Sequence, residues 1–385
     1  MSQKIKFDNV EPEYKFEILI KGKPIVGFSI DAARAGNNVR VAQRCFLTDY
    51  DGDFFFTCLD QISHTYLSDW MSKERKTEST ISNCLIFIQK NNEAEVFINI
   101  PTAMQIISKR SIERGDEIYR EDIADLTRVE FPGIQMKSDC AVIYIFSNGW
   151  RRGLYFDFLP VQPQGSHRTS DLETLFASFH SYLLFPEVHR LEPKVKEKMF
   201  ELGWFPFIRI LGRNFEEICN TIENDFPLIE VEMKVVDSFD EKSIRDLKDT
   251  WMTKDLFKKH KTVIETAIDR FIEKDYISAI HILYPRIEGL MRYLYIGESG
   301  KPTSKKLVDK LTAPVAKKTI DLSLFLPEGF NEYLKQFYFS SFDLEKGEID
   351  LSRHSLAHGV AKEEDFSKIQ AFQAILILDQ IFYYV

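Results

Sequence analysis

The chemistry-bearing part of this chain is one short segment, Leu351-Ser352-Arg353-His354-Ser355-Leu356-Ala357-His358-Gly359. It contains two of the eight histidines of the chain, together with an arginine. Asp350 and Ser352 are typical N-cap residues and Gly359 is a typical helix stop, so the segment predicts a short helix that begins near Arg353. The segment therefore predicts one capped helix in the C-terminal third of the chain, and it contains the residues of the candidate site.

Arg353 and His358 suit the cleavage of RNA without a metal ion. A neutral imidazole can accept the proton of a ribose 2′-hydroxyl group. A guanidinium can hold the non-bridging phosphate oxygens as negative charge develops on them. On a regular helix, the offset between the two residues corresponds to a rotation of about 140°. The two side chains can therefore line one groove if the helix begins at Arg353 and the arginine bends back.

Charge is distributed unevenly along the chain. The formal net charge is −9 over 385 residues, yet residues 254–318 contain 14 Lys and Arg against 8 Asp and Glu. Such a basic region permits contact with a polyanion. The alternative is an ordinary solvated helix face. The candidate RNA contacts are the lysines of its last part: Lys301, Lys305, Lys306, Lys310, Lys317 and Lys318.

Composition and cysteine spacing limit the class of protein. A hydrophobic content of 44% and a charged content of 28% are those of an ordinary soluble protein. The five cysteines form no CxxC pair, so the sequence predicts neither a zinc ribbon nor a disulfide framework. We expect a cytoplasmic protein without a signal sequence, a membrane span, a bound metal or a cofactor.

The predicted fold class is α+β, and residues 1–165 are predicted to form an antiparallel β-rich domain for sensing or partner binding. Helical character in this part is predicted only at 59–73 and 102–108. The Pro-, Gly- and Ser-rich residues 161–170 predict a linker. Turn residues between apolar runs predict three hairpins. They pair 16–20 with 25–30 across Lys21–Pro24, 83–89 with 94–100, and 141–146 with 153–158.

Helical periodicity dominates the remainder of the chain. Residues 166–250 are predicted to be a mixed α/β connecting region that includes a short strand at 230–236, and residues 251–385 an all-α bundle. Glu288 and Arg292, at i and i+4, are predicted to form a salt bridge. The last helix is apolar on almost every side, so it is either central in the bundle or part of a dimer interface. The predicted helices are 171–184, 215–224, 261–274, 276–295, 329–342 and 366–384.

The segment from Arg353 to Gly359, near the end of an all-helical region, resembles the Arg-x4–6-His motif of the HEPN superfamily. Residues 279–292 are similar to the long early helix of such domains, and the resemblance covers roughly 255–385. It implies a compact HEPN-like helical bundle that acts as a metal-independent endoribonuclease. It further implies that Arg353 and His358 are the catalytic pair, with His354 as the polar residue that supports them.

The same resemblance implies a biological setting and partners. Many members of the superfamily act in prokaryotic toxin–antitoxin and anti-phage systems, as dimers in which two protomers form one composite site. We therefore expect an RNA substrate, a homodimer through the C-terminal helices, and an antitoxin or defence partner. Residues 1–250 resemble no family that we can name.

Three other interpretations of the segment remain open. Some HEPN-like domains have lost cleavage and bind nucleotide or mediate assembly. His354 and His358 share a helix face at i and i+4, as metal ligands do, although no third ligand is evident. Both histidines could instead be structural residues satisfied in a core.

Overall fold

The computed structural model describes residues 11–20, 27–165, 167–298, 300–343 and 351–385. The fold is of the α+β class, with an antiparallel sheet in the N-terminal part and helices in the C-terminal part. The chain forms two compact units. Unit 1 lies within Met1–Ile106 and Leu126–Leu184, and unit 2 lies within Ile107–Asp125 and Phe185–Val385.

Unit 1 is built on a six-stranded antiparallel sheet with the strand order β1-β6-β5-β9-β10-β4. Two further pairs, β2 with β3 and β7 with β8, form separate two-stranded sheets. The strands are β1 Tyr14–Leu19, β2 Phe28–Ser29, β3 Val41–Ala42, β4 Arg44–Thr48, β5 Asn83–Ile88, β6 Glu93–Ile98, β7 Ala103–Ser108, β8 Ile123–Glu130, β9 Ala141–Asn148 and β10 Arg151–Asp157.

Helices cover both faces of the six-stranded sheet. The unit contains α1 Asp53–Ile62 and α2 Ser68–Glu74, joined by the π-helical turn Ser63–Leu67, and α3 Leu172–Leu184. One face buries Ile86, Ile143 and Phe156 in the core that includes Phe55 and Leu59 of α1. On the other face, Tyr144 of β9 stacks on Phe176 of α3 and its hydroxyl group lies 3.0 Å from His180 Nε2. Because both faces are covered, the central strands are apolar without interruption rather than alternating.

The structure confirms two of the three predicted hairpins. β5 pairs with β6 and β9 pairs with β10 in antiparallel register, as their turn residues predict. The remaining hairpin prediction is wrong for the residues described, because β1 pairs with β6 and β2 pairs with β3. Its predicted turn, Lys21–Pro24, lies outside the described residues.

Two other local predictions for the N-terminal part change. Residues 102–108 were predicted to be helical, but Ala103–Ser108 is a strand that pairs with β8. The predicted linker 161–170 lies inside unit 1. There the buried Arg168 donates to Asp157 Oδ2 at 2.9 Å and to the Lys137 carbonyl oxygen at 3.0 Å. A guanidinium so held fixes the segment against the sheet.

Unit 2 is helical. Its long helix α11 packs against α10 and against the C-terminal helix α15. The helices are α4 Pro186–His189, α5 Pro193–Glu201, α6 Arg213–Glu223, α7 Ile229–Asp237, α8 Glu241–Trp251, α9 Asp255–Lys258, α10 Lys261–Ile272, α11 Tyr276–Tyr293, α12 Ser304–Ala316, α13 Pro327–Tyr333, α14 Arg353–Ala357 and α15 Lys368–Tyr384, and the π-helical turn Leu334–Tyr338 continues α13.

The structure decides two predictions for this unit, a strand at 230–236 and the position of the last helix. The strand prediction for 230–236 is wrong, because these residues belong to α7. Helix α15 buries every side chain from Ala371 to Ile381 within the chain itself. Of the two alternatives for this helix, a central position in the unit is therefore correct, and its apolar surface is already covered. Within the described residues, every helix is too short or too polar to cross a lipid bilayer.

Candidate functional site

The segment around Arg353 folds as a capped single-turn helix. Ser352 is the N-cap, and its hydroxyl group accepts a hydrogen bond from the Ser355 N–H at 3.1 Å. The Ser352 N–H in turn donates to Ser355 Oγ at 2.9 Å, which completes a reciprocal capping box. Leu351 and Leu356 are buried beside these two serines. Helix α14 therefore begins at Arg353, as its sequence predicts.

A Schellman motif ends the same helix. The Val360 N–H donates to the Ser355 carbonyl oxygen at 3.0 Å, and the Gly359 N–H donates to that of Leu356 at 3.2 Å. Gly359 has φ +68°, a left-handed conformation that a glycine adopts without strain. His358 is the C-cap residue and its side chain is exposed. The two ends of the turn thus fix the backbone on which Arg353 and His358 stand.

Glu288 of α11 anchors Arg353. Its carboxylate Oε2 lies 2.5 Å from Arg353 Nε, and its Oε1 accepts from Arg292 Nε at 2.7 Å. The Glu288 side chain is only 10% exposed, against 27% for Arg353 and 52% for Arg292. One nearly buried carboxylate therefore holds two arginines, and the group as a whole has a charge of +1.

A buried tyrosine fixes the position of Glu288. The Tyr338 hydroxyl group accepts from the Glu288 N–H at 3.0 Å and donates to the Tyr284 carbonyl oxygen at 2.5 Å. Burial raises the pKa of Tyr338 well above its ordinary value, so the hydroxyl group remains a donor. These two contacts lie on either side of Pro285 in α11, and this proline has no N–H with which to donate a backbone hydrogen bond.

Aromatic rings flank the two histidines. The His354 ring centre lies 6.3 Å from that of Phe339, and the His358 ring centre lies 5.6 Å from that of Phe342. His354 is partly exposed and His358 is exposed, so neither histidine is a buried core residue. The interpretation of both histidines as satisfied core residues is therefore wrong.

The six candidate lysines lie on and next to α12, and all are exposed. Lys310 pairs with Glu298 at 2.6 Å. Asp309, on the same helix, is neutralised by Lys335 at 2.8 Å, which leaves Lys305 and Lys306 without an ion pair in the described part of the chain. Among the described residues, none of the ion pairs joins these lysines to α14.

Sequence reasoning identified Glu288 only as the partner of Arg292. Its pairing with Arg353 joins two helices that are 65 positions apart in the sequence, and no local pattern signals it. Tyr338 was likewise identified only as part of the predicted helix 329–342. Within the described ranges, no three His, Cys, Asp or Glu side chains come together as metal ligands.

No protein-family model matches this chain, and neither a curated protein nor a solved structure matches it.

Proposed function

We propose that unit 2 is a HEPN-type, metal-independent endoribonuclease with Arg353 and His358 as its catalytic pair. The observation that carries the proposal is the fixed turn on which the pair stands. It starts at Arg353, whose guanidinium is held by Glu288, and it ends at the exposed His358. His354 supports the pair from between them, beside Phe339.

The chemistry assigned to the pair is attack by the ribose 2′-oxygen on the adjacent phosphorus atom. The neutral His358 imidazole accepts the 2′-hydroxyl proton as the new P–O bond forms. Arg353 donates to the non-bridging oxygens while they gain negative charge. The bond to the 5′-oxygen then breaks, and this oxygen takes a proton from the imidazolium or from water. The products are a 2′,3′-cyclic phosphate and a 5′-hydroxyl group.

The ion pair with Glu288 is compatible with this role for Arg353. The pair uses Nε, and within the described residues the two terminal nitrogens have no other ion-pair partner. A guanidinium presents five donors in a rigid fork, so Nη1 and Nη2 can still bind two phosphate oxygens. Because Arg292 shares the same carboxylate, the group keeps a net positive charge toward the RNA.

The proposal includes RNA contacts, an assembly and a setting. Lys301, Lys305, Lys306, Lys310, Lys317 and Lys318 would follow the RNA backbone, supported by their exposure. Two copies would join their motifs in a composite site, and surfaces other than α15 would form the contact, since α15 is buried. The setting would be a cytoplasmic toxin–antitoxin or anti-phage system with an antitoxin or defence partner.

One observation favours a second candidate, a non-catalytic HEPN-like module that binds nucleotide or mediates assembly. The Arg353–Glu288 pair joins α14 to α11. This contact alone would account for the presence of Arg353 if its role is to hold the two helices together. A structural arginine predicts loss of stability on substitution, whereas a catalytic arginine predicts loss of cleavage in a protein that stays folded.

The test is RNA cleavage in excess EDTA by the wild type and by Arg353→Lys and His358→Asn variants. Both changes keep polar side chains of similar size, so we expect folded proteins whose cleavage rates fall by roughly 10²- to 10⁴-fold. His281→Asn is the matched control, because His281 is an exposed histidine of α11 that stacks on Phe366. It should cleave at the wild-type rate.

Product analysis completes this experiment. The cleaved strand should carry a 2′,3′-cyclic phosphate, and an oligonucleotide with a 2′-deoxy sugar at the scissile position should resist cleavage. The proposal fails if the wild type cleaves no RNA, alone or with host extract, or if EDTA abolishes cleavage. A folded Arg353→Lys protein with full activity would also contradict it.

A further inference from the structure

A large cavity lies within unit 2, on residues outside the Arg353 segment. Its volume is about 1090 Å³, which is ample for a small-molecule ligand. Its lining includes Lys109, Leu211, Arg213 and Asn214, together with the hydroxyl-bearing side chains of Ser108 and Ser111. Neither the proposed catalytic pair nor the lysines of α12 line it.

Lys109 is a buried lysine whose amino group has no carboxylate in direct contact among the described residues. The residue is only 7% exposed, and its Nζ makes one long hydrogen bond, 3.5 Å to the Leu211 carbonyl oxygen. In the described part of the chain it forms no ion pair. A buried ammonium group in this state is unfavourable unless an anion joins it.

Asp379 is the carboxylate that most favours the charged form of Lys109, but it is already paired with Arg209. Asp379 accepts from Arg209 Nε at 3.0 Å and Nη2 at 3.1 Å, and also from Trp251 Nε1 at 2.8 Å. Arg209 in turn donates to the Lys109 carbonyl oxygen at 2.9 Å, which brings a second positive charge close to the lysine. Arg209 thus adds positive charge near Lys109, while the buried negative charge of Asp379 is directed to Arg209 and Trp251.

The N-terminus of α6 lies at the same place. Leu211, whose carbonyl oxygen contacts Lys109 Nζ, directly precedes the N-cap Gly212. Gly212 has φ +103° and no side chain, so no capping side chain satisfies the N–H groups of the first turn. Those N–H groups and the helix dipole favour an anion at this end of an 11-residue helix.

We propose that this cavity binds a small phosphate-bearing molecule, with a phosphate group held between Lys109 and the N-terminus of α6. Glu121, whose carboxylate lies beside Gly212, has to turn away when the phosphate binds. The cavity is also lined by Asp246 and Asp249, which would repel a second anionic group. They suit hydrogen-bond donors instead, such as the hydroxyl and amino groups of a nucleoside. A nucleoside phosphate therefore fits better than free inorganic phosphate. The inference does not depend on ribonuclease activity.

Proton uptake gives this site a distinctive signature. Burial, followed by the nearby Arg209, lowers the pKa of Lys109 to about 7, while Asp379 and Glu121 act to raise it and Arg120 to lower it. Near pH 7.5, a substantial fraction of Lys109 is therefore neutral in the free protein. A bound phosphate would raise the pKa again, so binding should be accompanied by uptake of part of a proton.

The experiment is titration calorimetry of the full chain with AMP, adenosine and inorganic phosphate, in two buffers of different ionisation enthalpy at pH 7.5. We expect AMP to bind more tightly than inorganic phosphate, adenosine to bind weakly, and AMP binding to take up protons. Lys109→Met should weaken AMP binding by about tenfold or more. Lys258→Met removes an exposed lysine of α9 and should change nothing.

Several outcomes would overturn the inference. They are the absence of binding of both AMP and phosphate at millimolar concentration, equal binding of AMP and adenosine, and equal binding of AMP by wild type and Lys109→Met. Should the methionine variant not fold, the wild type alone decides, because AMP binding without proton uptake also excludes Lys109 as the counter-ion.

Discussion

The anchoring of Arg353 by Glu288 can be tested by measuring how strongly the two side chains are coupled. Two unit charges about 4 Å apart attract by about 4 kcal/mol at an effective dielectric constant of about 20. Desolvation and the ordering of the side chains offset much of this attraction. With Glu288 10% and Arg353 27% exposed, we expect a coupling energy of about 2 kcal/mol.

The pair of Glu288 with Arg292 provides an internal comparison. It joins residues at i and i+4 on one helix, and the Arg292 side chain is 52% exposed. Pairs of this kind contribute about 0.5 kcal/mol. The same carboxylate should therefore couple several times more strongly to Arg353 than to Arg292.

The assay is a pair of double-mutant cycles built from Glu288→Gln, Arg353→Met and Arg292→Met, with the free energy of unfolding measured in urea. Trp204 and Trp251 are fully buried in unit 2 and report its unfolding. Trp70 and Trp150 of unit 1 are replaced by Phe in every protein of the series. Equal coupling energies, or a larger one for Arg292, would refute the anchoring of Arg353 by Glu288.

Three further predictions concern the turn, the N-terminal unit and the lysines. Gly359→Ala should lower the free energy of unfolding of unit 2 by about 1 kcal/mol, since φ is +68° and the space around the glycine is open, and an unchanged urea midpoint would contradict this. Burial lowers the pKa of His180 to about 3, below its value in the unfolded chain. Because the unfolded chain binds the proton first as pH falls from 6.5 toward 3, unit 1 should lose stability by up to about 1.4 kcal/mol per pH unit. His180→Gln should reduce that slope in urea unfolding at pH 6.5 and pH 5, and an identical slope would refute the assignment. The double variant Lys305→Gln, Lys306→Gln should reduce the salt dependence of RNA binding, by about 0.7 for each lost contact in the slope of log binding constant against log salt concentration. Lys258→Gln is the control, and an unchanged slope in the double variant would exclude both lysines as contacts.

Local patterns predicted the parts of the fold that depend on local interactions. The β5–β6 and β9–β10 hairpins and helix α14 are each specified by turn or cap residues a few positions apart. The predicted pairing of 16–20 with 25–30 failed because β1 finds its partner in Glu93–Ile98, more than seventy residues later. Propensity alone does not choose between a near partner and a distant one.

Tertiary contacts decided the other differences. The alternation in 230–236 is typical of a strand, yet α7 buries Val235 and Val236, and Glu232 accepts from Trp204 Nε1 at 2.7 Å. At the candidate site, the sequence predicts Arg353, His354 and His358 and the cap that orders them. It does not predict Glu288 or Tyr338 as their supports, because both act from other helices.

The interleaving of the two units in the chain limits how the protein can be divided. Residues Ile107–Asp125 belong to unit 2 although unit 1 surrounds them in sequence. Asp125 accepts from Ser323 Oγ at 2.6 Å and from the Leu324 N–H at 2.9 Å. A fragment that begins at residue 185 would leave these two donors unsatisfied in a buried place and would lack Lys109. Unit 1 likewise includes Leu126–Leu184, so a fragment that ends at Ile106 would lack part of it. Inactivity of such a truncation would therefore report misfolding, and functional mapping of this chain calls for point substitutions in the intact protein.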